Sequence, residues 1–209
     1  MISDVTLIIP SQNAERNLIN LLSQIPEWYV IPSEIIIVDS SEKPPNIPNH
    51  FYSFTEANNI KVLILRGEAF YPGHARNIGI KHSNNNLLAF LDTSTVPNKA
   101  WLLSGLEIIN EHNFEGVWGK TYYTADNIFS KIYKSSTYGN KPIKTLPGSI
   151  LKKNVFIMCG LFVESTRAGE DGDWISRAKL HDLQITTPVE YLTYRELNGV
   201  SLRQIVAKW

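Results

Sequence analysis

Long apolar runs and helically spaced apolar positions alternate along the first half of the chain. Four continuous runs rich in β-branched residues predict strands that are buried on both faces. These runs cover residues 5–10, 34–39, 60–65 and 87–91. Apolar residues three or four positions apart predict helices over 14–25, after 72 and after 97. Strands without alternation that are separated by helices indicate an α/β fold, with a mainly parallel, Rossmann-like central sheet flanked by helices on both faces.

The second half of the chain carries a weaker pattern. Pro142 and Pro147 favour a loop region, and Pro188 confines the last predicted strand to a sheet edge. The predicted elements are a strand at 116–123, a loop region at 124–150, a core strand at 155–163, a helix through 174–178 and a strand within 185–194. No internal repeat or flexible linker interrupts the chain, so we predict a single domain over residues 1–209.

Composition narrows the class of protein. A hydrophobic content of 43% in 209 residues is enough for one packed core. Lys and Arg together number 20, as do Asp and Glu, so the basic excess typical of nucleic-acid binding is missing and no nucleic-acid partner is expected. The single cysteine, Cys159, cannot form an internal disulfide, and no apolar run approaches the roughly 18 residues of a membrane span. These features predict a cytoplasmic protein without a membrane span in this chain.

The end of the chain carries a separate signal. Leu202, Ile205, Val206 and Trp209 recur at the spacing of an amphipathic helix, and no stop signal follows them. We therefore expect the natural chain to continue past Trp209. Such a missing C-terminal part is a candidate for bringing the protein to the inner face of a membrane.

Acidic residues occupy positions suited to ligand binding. Asp39 and Asp92 follow the second and fourth predicted strands, and ligands of open α/β sheets bind at the carboxyl ends of strands. A second acidic cluster, Glu170, Asp171 and Asp173, precedes the helix predicted at 174–178. Structural roles are the alternatives, because strand-end acids cap following segments and acids favour helix N-termini.

Five local patterns, in this order along residues 3–180, together resemble the inverting glycosyltransferases of family 2, which have the GT-A fold. None of the five is specific alone, whereas their order and spacing are. They are a first strand ending in Pro10 with Asn13 after it, a strand ending in Asp39, Gly-His-Ala-Arg-Asn-Ile-Gly at 73–79, Leu-Asp-Thr-Ser-Thr-Val-Pro at 91–97, and the Glu170-Asp171 pair.

The resemblance implies transfer of a sugar from a nucleotide-diphosphate donor to a hydroxyl of a glycan or lipid-linked acceptor, with inversion, in bacterial polysaccharide or glycoconjugate synthesis. It implies that residues 1–97 bind the nucleotide-sugar and that 98–209 bind the acceptor. It assigns Asp171 as the general base, with Glu170 on the acceptor side. Trp118 is a further acceptor-side candidate, because its ring could stack on a sugar, and packing within the sheet is the alternative. The implied donor-binding residues are Pro10, Asn13, Asp39, Arg76 and Asp92.

A divalent cation, Mn²⁺ or Mg²⁺, is also implied, because carboxylate-bound metal offsets the charge of a departing diphosphate. Asp92 is its expected ligand. The family's second acid, two residues later, is replaced here by Ser94, a neutral and weak ligand, which puts metal dependence in doubt.

Two other functions compete with this one. A sugar-nucleotidyltransferase needs a glycine-rich phosphate loop after the first strand, and residues 11–14, Ser-Gln-Asn-Ala, contain no glycine. A degenerate domain that binds nucleotide or glycan without turnover is favoured by Ser94 and disfavoured by the intact Glu170-Asp171 pair.

Overall fold

The computed structural model describes residues 1–67, 71–188, 190–195 and 197. Its strands are β1 (Ile2–Ser11), β2 (Ile31–Asp39), β3 (Lys61–Arg66), β4 (Leu87–Phe90), β5 (Thr95–Val96), β6 (Gly116–Tyr123), β7 (Ile143–Lys152), β8 (Ile185–Thr186) and β9 (Leu192–Tyr194). Its helices are α1 (Glu15–Leu22), α2 (Asn49–Ala57), α3 (Pro72–His82), α4 (Trp101–His112), α5 (Ile128–Thr137), α6 (Val155–Cys159) and α7 (Glu170–Leu180). The α/β domain predicted from the sequence is confirmed.

One curled central sheet organises these elements, in the order β3-β2-β1-β4-β7-β6-β9-β5, with β8 paired to β6. The first four strands of that order are mutually parallel. The antiparallel strand β7 then joins β4 to β6. The carboxyl ends of β1, β2 and β4 therefore lie at one edge, because parallel neighbours end on the same side.

Two predictions for the second half are wrong. The expected loop region at 124–150 contains helix α5 and strand β7, and the expected core strand at 155–163 begins with helix α6. Asn127 starts α5 with a reciprocal cap, in which its side chain accepts from the Ser130 backbone and the Ser130 hydroxyl accepts from the Asn127 backbone. In α6, Ile157 and Met158 are exposed, so the apolar run does not continue as a buried strand.

Strand β7 accommodates Pro147 through an irregularity. Its pairing with β6 shifts register between Val117 and Gly119. Pro147 and Gly148, with Gly148 at φ +94°, lie opposite this shift. Proline is tolerated in a sheet at such a bulge, where no ladder hydrogen bond is required of it. The predicted strand at 185–194 is likewise divided into the short strands β8 and β9.

None of the helices among the described residues is long and apolar enough to cross a bilayer. The helix predicted over Leu202 to Trp209 lies outside the described residues.

Far from the carboxyl edge, a buried carboxylate ties β2 to its neighbours. The Glu34 side chain is buried and accepts hydrogen bonds from the Thr6 hydroxyl at 2.6 Å and the Asn84 backbone N–H at 2.8 Å. It also accepts from the Asn84 side chain and pairs with exposed Lys61 at 3.2 Å. Burial alone would raise the pKa of Glu34, but the hydrogen bonds from Asn84 and Thr6 hold it below the ordinary 4.5.

We expect Glu34→Gln to lower the free energy of unfolding at pH 7 by about 1–3 kcal/mol, because an amide leaves donors of Thr6 and Asn84 unsatisfied. A carboxylate with a lowered pKa stabilises fully above its unfolded pKa and loses that contribution as pH falls through the folded value. The difference from the parent should therefore shrink on acidification. Urea unfolding at pH 7 and at a pH below 4.5 measures it.

Lys61→Met is the control for this substitution, because it removes only the exposed partner of Glu34 and should cost about 1 kcal/mol or less. A difference between Glu34→Gln and parent that grows on acidification would contradict the assignment of a stabilising ionised carboxylate.

Candidate functional site

A cleft opens at the carboxyl ends of β1 and β4, where the sequence predicted ligand binding. It comprises a pocket of about 260 Å³ beside the end of β1 and a larger one of about 720 Å³ extending to the start of α7. Both are open to solvent, and they share one wall. That wall consists of Gln12, Tyr71, Pro72, Asp92 and Tyr194.

Asp92 stands where the two pockets meet. It lies two residues beyond β4, and its side chain is 22% exposed. One carboxylate oxygen accepts from Arg76 Nη2 at 2.8 Å, and the other accepts from the Tyr194 hydroxyl at 2.8 Å. These two bonds orient the carboxylate toward the cleft and balance its charge.

Arg76 joins the two acidic motifs that the sequence singled out. Its Nη2 binds Asp92, and its Nη1 donates to Glu170 Oε1 at 2.7 Å. The guanidinium is buried, which by itself lowers its pKa, but Asp92 and Glu170 together hold the pKa of Arg76 above its ordinary value. The resemblance implies donor binding by Arg76; in the structure its terminal nitrogens bind two carboxylates of the protein.

Three residues of the 73–79 motif determine how helix α3 packs against its neighbours. A Cβ at position 79 would lie 2.5 Å from Ile8, so glycine lets α3 pack directly on β1. A Cβ at position 73 would lie 2.4 Å from the Val163 carbonyl oxygen, so glycine brings α3 against the segment before α7. The Asn77 side chain fixes that segment, accepting from the Phe162 N–H and donating to the Phe162 carbonyl, each at 2.9 Å.

Helix α7 presents Asp171 to the larger pocket. Glu170 begins the helix after Gly169, whose φ of +91° favours glycine. Asp171 follows it, is half-buried and lines the pocket, and its Oδ1 accepts from the N–H of Gly172 at 2.8 Å. Asp173 differs, because it is exposed and forms an ion pair with Arg177 at 2.8 Å.

Asp39 lies at the same sheet edge but beneath the surface of the cleft. Its side chain is fully buried, accepts from the Ser41 hydroxyl at 2.7 Å and pairs with Arg66. Asp39 and Arg66 are register partners at the ends of β2 and β3. Asp39 itself lines neither pocket, whereas its neighbour Ser40 lines the smaller one.

The remaining predicted donor residues surround the smaller pocket. Pro10 and Ser94 line it, and Ser94 Oγ accepts from the Asn17 amide at 3.3 Å. Asn13 is exposed with φ 49°, and its backbone N–H donates to the Ser41 hydroxyl at 2.7 Å. Asn13 therefore shapes the turn after β1 and closes it against the Asp39 loop.

Trp118, predicted on the acceptor side, lies elsewhere. It is 4% exposed and packs edge-on against Trp174 at 5.9 Å between ring centroids, within a hydrophobic cluster of the second half. This residue is on the core-facing side of β6, so the structure does not support contact between its ring and an acceptor.

This edge of the sheet suits a divalent cation only if substrate phosphates and water complete the coordination that the protein begins. No group of three or more His, Cys, Asp or Glu suited to a metal occurs among the residues that the structure describes. Asp92 keeps one lone pair on each oxygen beyond its bonds to Arg76 and Tyr194. One carboxylate with substrate phosphates and water is a normal environment for Mg²⁺, so Asp92, with Ser94 beside it, fits such an ion.

Sequence reasoning missed several cleft residues. Tyr194, which holds Asp92, follows no local motif and reaches it from a strand 102 positions away. Tyr71 and Arg167 line the cleft from irregular segments, and exposed Arg167 forms no ion pair in the described part of the chain. The pairing of Arg66 could have been inferred from the sequence, because Arg66 and Asp39 lie at the ends of two successive predicted strands.

We expect Arg76→Met to lower the free energy of unfolding by about 3–5 kcal/mol, because it leaves Glu170 and Asp92 without their cation. Adding Glu170→Gln to Arg76→Met should restore about 0.5–3 kcal/mol relative to the sum of the single effects. Chemical denaturation of the three variants measures this coupling. Lys99→Met, which breaks the exposed pair with Glu27, is the control. A loss for Arg76→Met as small as that of the control would contradict a stabilising role for the Arg76 ion pairs.

Proteins similar in sequence to this chain are glycosyltransferases. The model of "Glycosyl transferase family 2" matches residues 6–163. Glycosyltransferase AglE of Haloferax volcanii is 30% identical over 163 residues, covering 76% of this chain and 52% of the relative. Poly(ribitol-phosphate) beta-N-acetylglucosaminyltransferase TarS of Staphylococcus aureus is 23% identical over 211 residues, covering 91% and 36% respectively. The chain thus spans about half or less of the length of these two relatives.

Solved structures confirm the expected GT-A fold. TarS 1–349 of S. aureus, solved in complex with UDP-GlcNAc, aligns with a TM-score of 0.70 at 18% identity, covering 94% of this chain and 59% of that one. The mannosyltransferase PcManGT of Pyrobaculum calidifontis, solved with GDP-Man and Mn²⁺, aligns with a TM-score of 0.64 at 15% identity, covering 98% and 59%. Since the family model also covers most of its length, this chain belongs to glycosyl transferase family 2.

Proposed function

We propose that this chain transfers a sugar, of the hexose type, from a nucleotide-diphosphate donor to an acceptor hydroxyl with inversion of the anomeric centre. The observation that carries the proposal is the arrangement around Arg76. One guanidinium holds Asp92, at the meeting point of the two pockets, and Glu170, the first residue of α7. Asp171, next to Glu170, thereby lines the same cavity as Asp92.

The donor is assigned to the half formed by residues 1–97. Pro10, Ser40 and Asp92 line the smaller pocket, and Asn13 and Asp39 both hydrogen-bond to the hydroxyl of Ser41, next to Ser40. Relatives in the same fold support a nucleotide-sugar, because TarS was solved with UDP-GlcNAc and PcManGT with GDP-Man. Arg76 is a positioning residue in this proposal, since its terminal nitrogens already hold two acids.

Asp92, with Ser94 beside it, would hold a Mn²⁺ or Mg²⁺ ion, whose bound charge would stabilise the diphosphate leaving group. Ser94 adds no negative charge, so the protein contributes a single carboxylate. Metal affinity in this proposal depends strongly on the phosphates of the donor.

Proton removal is assigned to Asp171. The acceptor oxygen gives its proton to the Asp171 carboxylate and forms a bond to the anomeric carbon, while the bond from that carbon to the diphosphate oxygen breaks on the opposite face. Asp171 lies in the first turn of α7, where the backbone N–H of Gly172 donates to its Oδ1. General base assistance of this kind contributes about 10²–10⁴-fold.

The acceptor is assigned to residues 98–209, as a hydroxyl of a glycan or lipid-linked molecule in bacterial polysaccharide or glycoconjugate synthesis. Tyr123, Thr145 and Pro147 line the larger pocket from this half. A degenerate binding domain is not favoured, because Asp171 and Asp92 share an open cavity.

Turnover is the direct test of this function. A thermal-shift panel of nucleotide-sugars, with and without Mn²⁺, first identifies the donor, since a ligand at about 100 times its Kd stabilises by roughly 2.7 kcal/mol. Release of free nucleotide diphosphate is then measured with acceptor extracts. Donor stabilisation without any acceptor-dependent release would support the binding-only alternative.

Asp171→Asn should reduce transfer by at least about 10²-fold while donor binding survives, because the amide keeps the shape of the side chain and removes its basicity. Asp173→Asn is the matched control on the same helix and should leave transfer within a few-fold of the parent, because Asp173 lies outside the cleft and pairs with Arg177. Initial rates at saturating donor distinguish the two variants. Near-parental transfer by Asp171→Asn would rule out Asp171 as the base.

Ser94→Asp should tighten Mn²⁺ binding by roughly tenfold in the presence of nucleotide diphosphate, because it adds a charged oxygen ligand beside Asp92. Ser94→Asn is the neutral control and should bind the ion about as the parent does. Titration followed by the electron paramagnetic resonance signal of free Mn²⁺ measures affinity without requiring turnover. Equal affinity in parent and Ser94→Asp would contradict Asp92-Thr93-Ser94 as the metal segment.

A further inference from the structure

A second polar pocket lies beside α5, apart from the cleft. Its volume is about 290 Å³, and it shares no lining residue with either cleft pocket. Tyr122 and Thr124 line it from the end of β6 and the segment after it, and Tyr123 between them lines the cleft. Successive side chains of an extended chain point to opposite sides, so the two cavities lie on either side of the end of β6.

Lys134 is the unusual residue of this pocket. It is 8% exposed, in the last turn of α5. Its ammonium donates to the Tyr122 hydroxyl at 2.8 Å and lies 4.0 Å from the centroid of that ring. An ammonium carries three donors, so the phenol satisfies one of them.

No acid of the described chain neutralises this buried charge. Lys134 forms no ion pair there, although buried lysines are almost always paired. Asp126, the nearest acid in sequence, is oriented toward Asn127 and Ser130 instead. A ring face and a neutral hydroxyl stabilise an ammonium less than a carboxylate does, so the pocket retains unbalanced positive charge.

The other groups that line the pocket are also suited to an anion. Lys131 adds a second ammonium without an ion pair in the described residues. Ser135 supplies a hydroxyl and Asn140 an amide, and neither side chain is hydrogen-bonded within the described part of the protein. Two cations with two neutral donors around one concave space match the tetrahedral oxygens of a phosphate.

We propose that this pocket binds a phosphate-type oxyanion, a phosphate monoester or diester, with Lys134 as its central ligand. The site is separate from the donor cleft and does not depend on the proposed sugar transfer. Free phosphate esters and the head groups of anionic lipids share this chemistry, and the experiment distinguishes these sources.

The test uses nuclear magnetic resonance of the full chain, with the amides of Ala125, Ser135 and Asn140 as reporters. Sodium phosphate and glycerol 3-phosphate are titrated against sodium chloride at equal ionic strength, and phosphatidylglycerol vesicles against phosphatidylcholine vesicles. We expect saturable shifts of these amides with a phosphate source and none with its control. Amides of Gln12 and Thr93 report binding in the cleft separately, so failure of the proposed sugar transfer leaves this test unaffected.

Lys134→Met keeps the apolar stem and should weaken phosphate binding by about tenfold or more, because a hydrogen-bonded charge is lost. Lys134→Arg should retain most of the affinity. Lys131→Met, at an exposed position of α5, should fold normally and weaken binding less. Lys81→Met removes an equal charge from an exposed position of α3 and is the control.

The site is supported if binding is saturable, is weakened by Lys134→Met and is unchanged by Lys81→Met. If Lys134→Met does not fold, Lys131→Met takes its place in this comparison. Shifts confined to the cleft amides, equal loss in Lys81→Met, or no saturable shift with any phosphate source would overturn it.

Discussion

The ion pairs of Arg76 with Asp92 and Glu170 are the interaction on which the cleft depends. They join three segments that are distant in sequence, namely helix α3, the segment after β4 and the first turn of α7. A buried guanidinium between two carboxylates needs both partners, because loss of either acid would leave one terminal nitrogen of Arg76 without its hydrogen-bond acceptor. Arg76 therefore ties Asp92 to the first turn of α7, in which Asp171 follows Glu170.

The packing around this guanidinium also holds Arg76 in position. Gly73 and Gly79 allow α3 to approach the α7 segment and β1 more closely than any larger residue would permit. Asn77 secures the chain at Phe162 with two hydrogen bonds. The three residues together hold the helix that carries Arg76, so the motif at 73–79 positions Arg76 between Asp92 and Glu170.

Charge is handled differently at four buried or partly buried side chains of the described residues. Glu34 is buried among neutral donors far from the cleft, and Asp39 is covered by Arg66. Asp92 remains partly exposed although Arg76 and Tyr194 hold it. Lys134 alone of these buried groups lacks an opposite charge in the described chain, which is why its pocket, and not the buried acids, is the candidate for a separate ligand.

The sequence by itself determined the parallel half of the sheet and the acids at its carboxyl edge, because continuous apolar runs and strand-end polar residues are local signals. It also determined the family, through motifs whose order survives when single residues such as Ser94 change. Only the tertiary structure decided that Arg76 holds protein acids, that Trp118 is core and that Tyr194 supports Asp92, since each contact joins distant segments. The tertiary structure likewise decided α5, β7 and α6, where a reciprocal cap, a bulge at Pro147 and neighbouring strands outweighed weak local propensity.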